Sequence, residues 1–143
     1  MREMKFQAYW KEKGIMLGVS SIDFSTYVSD GKSSGLSRFY TLDDYEDESN
    51  YIPKGTNFNL YLDEVEIRQY IGLKDCNGKE IYEGGILKGK IYDYSPAKRF
   101  IGVLEYGYSG FLIKGVKQYK GMIDHPNATY EVIGNIYQNP ELL

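Results

Sequence analysis

The sequence predicts a mostly β protein: a small barrel-like antiparallel core with an N-terminal β extension. Three observations lead there. The chain of 143 residues carries 15 Tyr, 6 Phe, 1 Trp and 16 Gly; Tyr favours pleated, half-buried positions and Gly suits the turns between short strands. Short runs of alternating apolar and polar residues recur at regular spacing between Gly-rich turns, and no long stretch keeps a helical period. The third observation is the stretch from Val65 to Ile91, centred on Asp75-Cys76-Asn77-Gly78-Lys79. Asn-Gly between two apolar-patterned runs predicts a two-residue type I′ hairpin, because both central residues then need positive φ. Before it, Val65, Ile67, Gln69 and Ile71 share one face of a strand and Glu66, Arg68 and Tyr70 the other; after it come Ile81, Tyr82, Ile86, Leu87 and Ile91.

The remaining elements follow in order. Residues 3 to 9 read as a strand with Met4, Phe6 and Ala8 on one face, Lys11 to Gly14 as a turn, and Ile15 to Phe24 as the returning strand. Leu17 and Val19 share a face there, and Ile22 and Phe24 join it only through a kink or bulge. Residues 29 to 37 are a polar, Gly-rich loop, with a short strand expected at Leu36 to Leu42. Pro53-Lys54-Gly55 punctuates the chain before a strand at Asn57 to Leu62. This places the softest boundary near residue 55: residues 1–55 form an N-terminal β segment with variable loops and 56–143 the barrel-like core, which also read as one continuous domain. Lys88 to Tyr94, Phe100 to Tyr106, Phe111 to Val116 and Thr129 to Tyr137 supply further strands. Asn139-Pro140-Glu141-Leu142-Leu143 predicts one helical turn, with a capping residue before Pro and the two leucines against the core.

Size and charge bound the function. The length fits one domain, or one core with an extension, and no apolar run approaches the ~20 residues that cross a bilayer. Met1 to Lys5 lead into no signal-like stretch, and the single cysteine makes no internal disulfide, so a cytoplasmic protein without membrane contact is expected. The net charge of −3 is unevenly spread: −5 over residues 1–67, +5 over 68–120 and −3 over 121–143. Overall acidity argues against indiscriminate nucleic-acid binding, while the basic middle keeps a local anion-binding face open.

Few motifs announce chemistry. Gly84 to Lys90 matches seven positions of a phosphate-binding loop, but Ile91 stands where Ser or Thr would hold magnesium and a strand, not a helix, follows. Cys76 with His125 as base lacks a third orienting group and is read as two loop residues. One His and one Cys exclude a structural zinc site within one chain. Glu80 and Glu83 have no spacing that selects an acid and base over hairpin solubility. Asp43, Asp44, Glu46, Asp47 and Glu48 lack the glycine and spacing of a calcium loop and read as a solvated loop. The most informative patch is Lys88, Lys90, Tyr92 and Tyr94, at every second position of a strand, with Lys98 and Arg99 at the turn. Cations interleaved with aromatic rings on one β face suit phosphates and stacked bases; an ordinary solvated face is the alternative.

Three blocks of the chain resemble the YopX family of phage and prophage proteins. They are Gln69 to Asp75 with Asn77 to Gly84, Met1 to Phe6 with Ala8, and Tyr130 to Tyr137 with Asn139 to Leu143. The departures are Gly85 in place of Asp, Gln7 in place of Arg, and Tyr9 as the aromatic one place ahead of Trp10. The resemblance implies a mostly β, barrel-like, soluble protein of phage or prophage origin, in a family with no established molecular function. Together these readings lead to the expectation of a non-enzymatic accessory protein without cofactor. Its first expected partner is another protein, its own copy or one from phage or host, met through Tyr-rich β surface and strand edges. The alternative is a nucleic-acid-binding module that uses the Lys/Tyr face.

Overall fold

The computed structural model describes residues 5–23, 28–29, 32–33, 36–107, 110–123 and 128–143. The chain divides into two compact units, Lys5–Gln69 and Tyr70–Leu143, each with its own core.

In the first unit the strands are β1 (Phe6–Trp10), β2 (Ile15–Asp23), β3 (Val28–Ser29), β4 (Lys32–Ser33), β5 (Leu36–Thr41), β6 (Tyr45–Glu46), β7 (Tyr51–Ile52) and β8 (Asn57–Tyr61). The strand β9 (Val65–Lys74) belongs to this unit as far as Gln69. Its sheet runs β9-β1-β2-β5-β8, all antiparallel, while β3-β4 and β6-β7 are separate small hairpins. Alternation explains the burial of Ile15, Leu17 and Val19 on β2. The expected bulge lies between Val19 and Ser21 in the pairing with β5, and it brings Ile22 back toward the core of Ala8, Val19, Phe39, Leu60 and Val65. Trp10 stacks on Phe58 at 5.2 Å and Phe58 on Phe39 at 5.5 Å. β8 pairs with β5 and the first half of β9 with β1, which keeps residues 57–69 with the N-terminal strands in this unit.

The second unit holds the rest of β9, paired with β10 (Glu80–Tyr82), and a five-stranded antiparallel sheet. That sheet is formed by β11 (Gly85–Ile91), β12 (Lys98–Gly107), β13 (Gly110–Gly115), β14 (Gly121–Ile123) and β15 (Ala128–Asn135), in the order β14-β13-β12-β11-β15. Ile71, Ile81, Leu87, Ile91, Phe100, Leu104 and Ile113 form its core, and full burial of each such side chain contributes roughly 1.5–3 kcal/mol. Among the described residues the sheet stays open, with β14 and β15 as edges, so the barrel-like core is not a closed barrel.

Two local expectations are corrected. Lys74 pairs with Glu80, leaving a five-residue loop in which Gly78 alone has positive φ, +80°, so the turn is not type I′. The reason is Asp75: its Oδ1 accepts the amides of Asn77 and Lys79 at 2.9 and 2.8 Å, favouring an Asx-type loop over the tight turn. On β9 the expected alternation of faces stands, and both faces hold buried residues, Val65 on one and Arg68 and Tyr70 on the other. At the C-terminus a 3-10 turn forms at Pro140–Leu142, but Leu143 is 46% exposed instead of packed on the core. Asn139 spends its side-chain oxygen on the Asn135 amide at 3.1 Å.

Candidate functional site

The second unit carries a groove of about 500 Å³ built on the β12-β11-β15 side of its sheet. β11 lies next to the edge strand of that sheet, between β12 and β15. Leu87 and Ile91 of β11 are buried, and the alternation of the strand sends Lys88 and Lys90 out on the other face. Register then fixes their neighbours. Lys90 lies between Thr129 and Arg99, and Lys88 lies between Glu131 and Ile101. The rung between these two is Gly89 with Phe100 and Tyr130, whose rings meet edge to face at 5.7 Å against the core. All of these residues line the groove, together with Tyr92, Tyr119 and Cys76.

The two outward rungs differ in charge. Lys88 reaches Glu131 Oε2 at 3.4 Å, an ion pair with both side chains about half exposed. Lys90 and Arg99 stand directly opposite each other, both exposed, and among the described residues neither has an ion-pair partner. Like charges directly across a β ladder repel, so an anion placed between them relieves the repulsion.

Of the six residues singled out in the sequence, Lys88, Lys90, Tyr92 and Arg99 line this groove, and Tyr94 and Lys98 do not. The every-second-residue pattern ends early because β11 stops at Ile91 and the chain turns at Tyr92 and Asp93. Lys98 instead sets its ammonium 4.0 Å from the Tyr94 ring centroid, a cation–π contact at the turn. Sequence reasoning missed Thr129 and Glu131, which reach the groove through the β11–β15 pairing. The signal available was their place within the apolar alternation of Thr129 to Tyr137, which fixes a strand but not its neighbour.

One edge of this sheet is covered. The Val132 amide donates to Asp75 Oδ2 at 2.9 Å, and the Cys76 amide donates to the Tyr130 carbonyl at 3.0 Å, so the 75–79 loop occupies the outer side of β15. The Val132 amide is the first cause holding the Asp75 carboxyl below its ordinary value, against its burial, with the Lys79 and Asn77 amides adding to it.

The other sequence candidates have structural roles. Asp47 takes the Tyr45 hydroxyl at 2.7 Å and the amides of Ser49 and Asn50, and Asp44 takes the Lys54 amide at 2.7 Å, so these two acids organise their own loop. Burial, then the bond to Asp47, pushes the Tyr45 hydroxyl up to about 12. Among the described residues no group of three or more His, Cys, Asp or Glu is placed to hold a metal ion. Gly84 to Lys90 is a turn and a strand, with the Gly84 amide bonded to the Leu104 carbonyl. Glu80 accepts the Tyr82 hydroxyl at 2.8 Å. Cys76 is exposed, and His125 lies outside the described residues. No described helix is long and apolar enough to cross a membrane.

Comparison with known proteins agrees with this architecture. Over its whole length the chain is similar to protein EF1440 from Enterococcus faecalis, at 25% identity and a TM-score of 0.59, with 99% of that chain covered. It is also similar to protein yopX from Bacillus subtilis, at 21% identity and a TM-score of 0.54, with 97% of each chain covered. No curated protein matches it. The profile described as YopX protein matches residues 5–143, and the chain therefore belongs to the YopX family.

Proposed function

We propose that this YopX family member is a non-enzymatic binding protein of phage or prophage origin, acting in the cytoplasm of the bacterial host, whose groove binds the backbone of single-stranded nucleic acid. The observation that carries this reading is the Lys90–Arg99 rung, two exposed cations opposed across β11 and β12 with no carboxylate partner among the described residues. Tyr92, 48% exposed at the rim, offers a ring for base stacking beside those cations. The overall charge of −3 confines the attraction to this face and disfavours binding elsewhere on the chain.

Fluorescence anisotropy with a labelled oligothymidylate of about 12 nucleotides, the size that single-strand binders cover, tests it. Binding is expected at low salt, weakening steeply as salt rises, and the Lys90→Gln/Arg99→Gln double variant is expected to lose at least about tenfold in affinity. Binding that is indifferent to salt and to this pair would overturn the reading.

A second reading, a protein-interaction or self-assembling β module with a phage or host protein as partner, has one observation in its favour. In the first unit β8 is a sheet edge, and Tyr61 on it is 45% exposed. Light scattering across a concentration series separates the two: edge pairing gives a salt-tolerant oligomer whether or not an oligonucleotide is present.

A further inference from the structure

Resting on the groove reading above, we infer that Glu131 sets how many phosphates the groove takes: it occupies Lys88, so that Lys90 and Arg99 form the sole open phosphate seat. The geometry behind this is the pair of adjacent outward rungs. Thr129, Lys90 and Arg99 share one, two cations and a hydroxyl with no acid. Glu131, Lys88 and Ile101 share the next, in which Glu131 Oε2 lies 3.4 Å from the Lys88 ammonium and the third member is apolar. An incoming phosphate meets two net positive charges at the first rung and none at the second. Both partners of the ion pair are about half exposed, 53% and 41%, so the pair is a weak one that water screens. Its effect on a ligand is correspondingly one of discrimination and not of blockade.

Counterion release reads this out directly. For single strands the logarithm of the binding constant falls with the logarithm of salt with a slope of about −0.7 per phosphate neutralised. Glu131→Gln keeps the size and shape of the side chain and removes its charge, freeing Lys88. The expected result is a slope steeper by about 0.7 and binding about two- to fivefold tighter at low salt, the range that an exposed pair represents. In the native background Lys88→Gln is expected to leave the slope nearly unchanged, because that cation is already neutralised. Arg99→Gln is expected to make the slope shallower by about 0.7. The Glu131→Gln/Lys88→Gln double variant returns the slope to the native value.

The measurement is the same oligothymidylate anisotropy titration, run at four salt concentrations on the full-length chain and these variants, with circular dichroism to show that each keeps its fold. An unchanged slope in Glu131→Gln, with binding that Arg99→Gln weakens, overturns this inference and leaves the groove reading standing. Absence of binding in the native chain and in Glu131→Gln at the lowest salt overturns the groove reading itself, and this inference with it.

Discussion

Asp75 is 8% exposed and holds two elements of the second unit together. Oδ1 closes its own loop through the amides of Asn77 and Lys79, and Oδ2 reaches the amide of Val132, 57 residues away. Bonds of this kind stabilise the ionised carboxyl and lower its folded pKa. The sign of the pH effect follows. A depressed folded pKa contributes stability that is present above the unfolded value, near 3.9 for Asp, and that is lost as pH falls through the lower folded value. Asp75→Asn is therefore expected to lower the melting temperature near neutral pH by about 5 °C, the scale for one charge-assisted hydrogen bond in a protein of this size. It is also expected to flatten the acid limb of the stability profile below about pH 4. Thermal melts from pH 7 to pH 2 check both; acid limbs that superimpose would show that Asp75 contributes no titrating stability.

β11 is the strand on which the candidate site depends, and glycine at position 89 is what lets it lie between two partners. A Cβ at Gly89 would fall 1.8 Å from the Thr129 carbonyl and 2.9 Å from the Phe100 ring, so a side chain there forces β15 or Phe100 to move. At Gly18 on β2 the nearest atom to such a Cβ is Leu42 Cβ at 3.6 Å, an ordinary contact. Gly89→Ala is expected to cost about 3 kcal/mol, at the upper end for overpacking, and Gly18→Ala to change stability by less than about 1 kcal/mol. Urea denaturation of the two variants checks the contrast; equal midpoints would mean that β15 is not held where the register places it. The glycine at 89 also marks a limit of sequence reading. The alternation of Ile86 to Ile91 makes the strand and the outward lysines legible from local pattern alone. The need for glycine between the lysines comes from Thr129 and Phe100, which belong to strands whose pairing no local pattern states. Glu131 was out of reach for the same reason, and Tyr94 was misplaced because the turn after Ile91 is fixed by the β11–β12 pairing that resumes at Lys98.

At the scale of the whole chain, strand content and antiparallel order were readable because alternation and Gly-rich turns are local. The division at Gln69/Tyr70 was not, because it falls inside a continuous strand with no turn residue to mark it. Pro53-Lys54-Gly55 is a turn within the first unit, tied by the bond from the Gly55 amide to the Thr41 carbonyl at 3.0 Å. The second unit's core has Leu104 buried in it and the first unit's core Phe39, 4% and 0% exposed. Large-to-small changes at such positions cost about 2–5 kcal/mol and act first on the contacts around the cavity they leave. Native-state hydrogen exchange on Phe39→Ala is expected to show protection falling first among the amides of Lys5–Gln69, and on Leu104→Ala first among those of Tyr70–Leu143. β9 is the internal control, because its residues 65–69 pair with β1 and its residues from Tyr70 on pair with β10. The first variant is expected to loosen the amides of 65–69 and the second those of 70–74. If both variants lower protection evenly along the whole chain, the two cores unfold as one cooperative unit and the division has no energetic meaning.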